Sequence, residues 1–177
     1  STLQEAFNAA QTGETVQLQK DIEKCSADVT VSCTLDLNNH KINNGVQGKI
    51  YILGTISGMT LTITDSSTDK GGEIICSSKR VVTNINGDSS VGTTVIWNGG
   101  ILTGTNAEFY LGLSSVNISG GTIKGSVYVE CSLNITGGTI AGNISGSTVT
   151  ITGGKFEAGT TLSFTQNKIS ITGGSFH

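Results

Sequence analysis

Apolar and polar residues alternate in short blocks along most of this chain. Five blocks align without gaps: VIWNGGIL (95–102), VNISGGTI (116–123), LNITGGTI (133–140), VTITGGKF (149–156) and ISITGGSF (169–176). Three earlier blocks match the strand half: VQLQ (16–19), LDLNNHKI (35–42) and LTIT (61–64). A period of two predicts a strand with one buried face. Block starts are separated by 16 to 34 residues, so the strand is constant and the turns vary in length. That pattern predicts an all-β, right-handed parallel β-helix, a solenoid of about eight rungs stacked roughly 4.8 Å apart.

The predicted inward pairs are Val16/Leu18, Leu35/Leu37, Leu61/Ile63, Val95/Trp97, Val116/Ile118, Leu133/Ile135, Val149/Ile151 and Ile169/Ile171. The Gly-Gly pair then turns the chain, because glycine reaches positive φ without steric cost. A second inward position follows at Leu102, Ile123, Ile140, Phe156 and Phe176. A weaker third strand is expected in 50–53, 81–84, 108–111, 127–129 and 162–164.

The two ends read differently. Leu3, Ala6, Phe7 and Ala10 recur at helical spacing, and Thr2 with Glu5 forms a capping box. Residues 1–11 are expected to form a capping helix that covers the first rung and stops strand addition there. Residues 15–177 are expected to be the rungs of the same single domain. No such cover follows the last block, which reads as a fragment of a longer extracellular protein or as a rung on which another molecule stacks end to end.

Composition narrows the function classes. There are 25 Gly and no Pro, and charged residues make up 13%, about half the usual share. The net charge is −3, and the Lys and Arg residues are scattered, which excludes a nucleic-acid partner on electrostatic grounds. No apolar run approaches the ~20 residues of a membrane-spanning helix. Cys25, Cys33, Cys76 and Cys131 follow no metal spacing. The last three continue apolar alternations and read as small buried hydrophobes; a Cys25–Cys33 disulfide is left open.

TLDLNNHKI (34–42), GMTLTITDSS (58–67), the ITGGTF-like blocks and the opening LQEAFNAAQTGETVQLQKDI (3–22) resemble extracellular repeat proteins of gut and rumen bacteria. These belong to the pectate-lyase-like β-helix superfamily. The resemblance covers nearly the whole chain and is specific for the fold, not for an activity. It implies a secreted or surface-anchored adhesin or glycan-binding module, whose partner is a polysaccharide or a cell-surface glycan. It also admits a polysaccharide lyase or hydrolase, or an ancillary carbohydrate-binding module.

Lyase chemistry needs acidic residues holding Ca²⁺ and a nearby basic side chain. DSSTDKGGE (65–73) supplies Asp65, Asp69 and Glu73, with Lys79 and Arg80 downstream. Against this stand a single arginine, two histidines, and no paired-aspartate, Gly-His-Gly or Ser-His-Asp pattern. The chain therefore reads as non-enzymatic and without a cofactor, and the acidic turn as an ordinary turn with Ca²⁺ its weaker alternative. Tyr51, Tyr110 and Tyr128, flanked by Glu108 and Glu130, are the candidate carbohydrate platform, with rings for stacking and carboxylates for hydroxyls. The outward ladder of Thr, Ser and Asn beside the aliphatic one is a solvated face or, as a further alternative, an ice-binding array. Sequons at Asn117, Asn134 and Asn143 read as by-products of the repeat.

Overall fold

The computed structural model describes residues 2–45, 49–52, 58–76, 82–84, 92–110 and 115–177. Leu53, Val81 and Leu111, all expected in the third strand, lie outside the described residues, as do Lys79 and Arg80. The chain opens with α1 (Leu3–Ala9) and then winds as strands. The first coil holds β1 (Thr15–Gln17), β2 (Ile22–Glu23) and β3 (Ser26–Val29). The second holds β4 (Cys33–Asp36), β5 (Lys41–Gly45) and β6 (Lys49–Ile52), and the third β7 (Thr60–Thr64), β8 (Glu73–Cys76) and β9 (Val82–Asn84). Later strands bend round corners and serve more than one face. They are β10 (Thr94–Trp97), β11 (Ile101–Tyr110), β12 (Ser115–Ile118), β13 (Thr122–Ile135), β14 (Thr139–Ile151), β15 (Lys155–Phe156), β16 (Thr161–Ile171) and β17 (Ser175–Phe176).

Every described strand pairing is parallel and joins a strand to its counterpart one coil away. The molecule is thus a three-faced parallel β-helix. On the first face the inward rank runs Val16, Leu35, Ile63, Trp97, Ile118, Ile135, Ile151, Ile171. On the second it runs through Ile42, Ile74, Leu102, Ile123, Ile140 and Phe156 to Phe176. The third includes Ala27 over Ile50 and Val127 over Ile144 and Leu162. Removing such side chains from water contributes about 1.5–3 kcal/mol each, set against backbone ordering.

The register corrects the sequence alignment in the first two coils. Leu35 lies over Ile63, and Cys33 over Leu61; matching block starts had placed Leu35 on Leu61. Both alignments keep apolar residues inward, because a two-residue slip preserves side-chain parity. The consequence is local: Leu37, not Asn39, lines up with the corner position taken by Asp65 in the next coil. The last inward pair keeps the inward register, although on the last described coil Ile169 and Ile171 are 47% and 49% exposed. The fourteen residues of the other seven pairs are all buried.

The Gly-Gly corner has two distinct requirements. The second glycine has positive φ, +70° at Gly121 and +80° at Gly138, which L side chains rarely adopt. The first is needed for packing. A Cβ on Gly120, Gly137, Gly153 or Gly173 would fall deep inside contact with a carbonyl oxygen of the preceding coil: that of Asn98, Ser119, Thr136 or Thr152 respectively. Glycine therefore lets the corners stack at strand spacing.

The N-terminal helix caps as expected, and its coverage is specific. Thr2 and Glu5 complete the capping box, and Leu3 and Phe7 are buried over the core. The Gln4 carboxamide donates to the Asp28 carbonyl at 3.1 Å and accepts from its N–H at 2.8 Å. That side chain mimics a neighbouring peptide and satisfies the outer edge of β3. Among the described residues no such bridge is made to β1 or β2, whose described pairings are with β4 and β5.

Candidate binding face

The first face presents three outward ranks in register. One runs Thr60, Thr94, Ser115, Ser132, Thr148, Lys168. The middle rank runs Thr15, Thr34, Thr62, Ile96, Asn117, Asn134, Thr150, Ser170. The third begins Gln17, Asp36, Thr64 and continues one residue beyond the paired positions as Asn98, Ser119, Thr136, Thr152 and Thr172. Period-two alternation forces these side chains out, and parallel stacking puts like on like. Neighbours join laterally: Asn134 Nδ2 donates to Asn117 Oδ1 at 2.8 Å, Ser119 Oγ to Asn98 Oδ1 at 3.0 Å, and the Thr94 and Ser115 hydroxyls lie 3.2 Å apart. The lattice is a preorganised sheet of hydroxyls, methyls and carboxamides.

The rank from Thr60 to Lys168 escaped the sequence alignment, which began each block at its first apolar residue. The signal was present one position upstream, where Thr, Ser and Lys precede each apolar pair.

The acidic turn is a structural knot. The Asp65 carboxylate occupies the inward corner position and is buried. It accepts from Asn39 N, Ser67 N, Ser67 Oγ and Gly72 N at 2.6–3.1 Å. Asp36, also buried, accepts from Gln17, Asn38 and both donors of Ser66. Glu73 takes Thr103 Oγ1 at 2.7 Å and Lys41 Nζ at 3.0 Å. Asp65, Asp69 and Glu73 are not brought together, and no group of three potential metal ligands occurs among the described residues.

Burial pushes the Asp36 and Asp65 carboxyls up, but their hydrogen bonds outweigh it and hold both below the ordinary value. A folded-state value below the unfolded one stabilises the fold above the ordinary carboxylate range. That stabilisation is lost as pH falls below about 5 toward the folded value. The urea midpoint is therefore expected to drop between pH 6 and pH 3. An Asp36→Asn/Asp65→Asn double variant should be weaker at pH 6 and show a flatter dependence; a parallel curve would remove these two groups as the cause.

The tyrosines share a face of the backbone but not one line. Tyr51 and Tyr110 both register with Thr83, whereas Tyr128 registers with Glu108 and Ser145. Tyr128 is half-buried; the side chains of Tyr51, Tyr110, Glu108 and Glu130 lie outside the described residues. Cys25 and Cys33 are free, buried thiols and Cys76 is buried, and the side chain of Cys131 also lies outside the described residues. Burial pushes the Cys25 and Cys33 thiols up to about 11, so both are unreactive at neutral pH.

No protein-family model matches this chain, nor does any curated protein or solved structure.

Proposed function

We propose that this chain is a non-catalytic β-helix module of a secreted or surface protein that binds polysaccharide or a cell-surface glycan along its first face. The observation that carries the reading is the registered lattice of Thr, Ser and Asn side chains, a repetitive surface suited to a repetitive partner. Many weak, fixed hydrogen-bonding groups bind such a partner without closing around it, and their preorganisation lowers the ordering cost. Support for a non-catalytic role comes from Asp36, Asp65 and Glu73. Their hydrogen bonds favour the ionised form, which suits anchoring a turn better than giving up a proton. The resemblance to bacterial extracellular repeat proteins points the same way.

Depletion of the protein by insoluble polysaccharides tests this. At least one polymer should remove the wild type from solution, and Thr150→Arg, mid-face, should weaken that binding roughly tenfold or more. Failure of every polymer, or equal binding by the variant, would overturn the reading. Release of unsaturated product from polygalacturonate with Ca²⁺ would overturn its non-catalytic part.

A second reading is favoured by the unbroken triplets Thr60/Thr62/Thr64 and Thr148/Thr150/Thr152: the same face orders water as an ice-binding surface. Faceted ice crystals in the presence of the protein would support it, and unshaped crystals would remove it.

A further inference from the structure

We infer that the corner beside the 65–72 loop is a saccharide subsite that seats an anionic substituent, a carboxylate or a sulfate ester, against Lys70. The inference rests on the reading of the first face as a glycan surface and names the chemistry that its edge selects. Corners between the first and second faces are short in the middle coils. Only Gly99 and Gly100 separate Asn98 from Ile101, and only Gly120 and Gly121 separate Ser119 from Thr122. One coil earlier, Thr64 and Glu73 take the places of Asn98 and Ile101, yet residues 65–72 lie between them. The extra chain is folded on Asp65 and stands beside the glycine corners.

Between the loop and the corners lies a groove of about 480 Å³, lined by Thr64, Asp65, Lys70, Asn98, Gly100 and Thr122 among others. Its polar groups are of the kind that recognise a sugar: two threonine hydroxyls, a carboxamide and glycine peptides, with Ile101 as an apolar patch. Asn98 Oδ1 already accepts from Ser119 Oγ, which leaves its amide nitrogen to donate. Thr64 and Asn98 also belong to the third outward rank of the first face, so the groove opens on the edge of that face.

Charge sets its preference. Among the lining residues only Asp65 and Lys70 are charged. The Asp65 carboxylate is enclosed by Asn39 N, Ser67 N, Ser67 Oγ and Gly72 N and has little to offer a ligand. Lys70 is exposed. Its Nζ donates to the Asp65 carbonyl at 2.7 Å, a bond that holds the ammonium beside the groove and uses one of its three donors. Among the described residues Lys70 makes no ion pair, and Asp69, on the same loop, does not line the groove. A carboxylate or sulfate oxygen is the partner that such an ammonium takes with a charge-assisted hydrogen bond. The three outward ranks of the first face hold only two charged residues, Asp36 and Lys168, so Lys70 supplies a selectivity that the hydroxyl lattice lacks.

Amide NMR spectra of the protein titrated with glucose, glucuronate and a glucose sulfate ester test the subsite. The three sugars share a ring, so charge is the variable. At least one acidic sugar should shift the Gly99, Gly100 and Gly121 amides and bind about fivefold or more tighter than glucose; the tighter of the two identifies the substituent. Lys70→Gln should cancel that advantage, and Lys70→Arg should keep most of it. Both variants retain the loop, because the side chain is exposed and neither changes the backbone demand of its φ of +53°. Acidic sugars that bind no better than glucose, that shift only amides away from the groove, or that bind Lys70→Gln as well as wild type would overturn the inference. A single sugar is too short to need the lattice, so the two readings fail separately. A groove that ignores acidic sugars leaves polymer depletion and its loss in Thr150→Arg intact, and failure of that depletion leaves the titration of the groove intact.

Discussion

Gly137→Ala is expected to destabilise the β-helix by about 3 kcal/mol or more, the upper range for forcing extra volume into a packed interior. For a chain of this length that corresponds to a fall of roughly 6–12 °C in Tm. The cause is a single contact. Gly137 does not have positive φ, so alanine strains no backbone dihedral there; its Cβ would instead be driven into the carbonyl oxygen of Ser119 one coil below. Neither partner can retreat. Ser119 N donates to Trp97 O at 2.9 Å, and Thr136 N, beside Gly137, to Ile118 O at 2.9 Å. Widening the corner breaks ladder bonds on the first face. Gly92→Ala is the matched control, because a Cβ at that position meets nothing within 4 Å; it should change stability by less than about 1 kcal/mol, and toward stabilisation. Equal thermal midpoints for the two variants would show that the corner has room to relax.

That contact also shows how far the sequence could be read. The repeated Gly-Gly told where the chain turns, and positive φ accounts for the second glycine. The first follows from coil-on-coil spacing, a tertiary distance that no local pattern encodes. The same limit explains the slip of two residues between Leu35 and Ile63. Period two fixes which face a side chain takes, and Cys33/Leu35 and Leu35/Leu37 satisfy it equally. The choice was made by Asp65, which sits at the inward corner above Leu37 because Asn39, Ser67 and Gly72 supply its hydrogen bonds. An aspartate at an apolar position looks like the end of a strand until those donors are seen. β3 was missed because Ala27 and Val29 are too small and too few to stand out, although Ala27 lies directly over Ile50.

The candidate site was legible in part. Outward Thr, Ser and Asn positions follow from parity alone, so two of the three ranks were readable before any coordinates. Their alignment across coils was not, and it is the alignment that turns scattered polar residues into a lattice. The acidic turn was legible as a turn, with Ca²⁺ the weaker alternative, but its internal bonding was not. The chain folds back so that Asp65 is enclosed by donors of its own loop and of Asn39. A short carboxylate-rich segment cannot declare which of the two it does, since backbone N–H groups compete with a cation for the same oxygens.

Trp97→Ala should be the most damaging single truncation, costing about 3–5 kcal/mol. The indole is fully buried in the first-face rank, with Ile63 on one side and Ile118 on the other. Every other member of that rank is aliphatic, so Trp97 is its bulkiest side chain. Part of that bulk lies under the next corner: a Cβ on Gly121 would come within 2.8 Å of its Nε1. The bulk of one side chain and the absence of another are therefore matched across adjacent coils. Trp97→Phe keeps most of the volume and should cost less than the alanine variant, while Gly121→Ala should be harmful on three counts, its φ of +70°, the Gly100 carbonyl oxygen 2.5 Å from the added Cβ, and the indole below it. Combining Gly121→Ala with Trp97→Ala separates the two. If the indole contributes, the double variant loses less than the sum of the singles, because the alanine methyl then enters the vacated space. Strict additivity in denaturant midpoints would mean that positive φ and the Gly100 carbonyl, without the indole, set the demand for glycine at this corner.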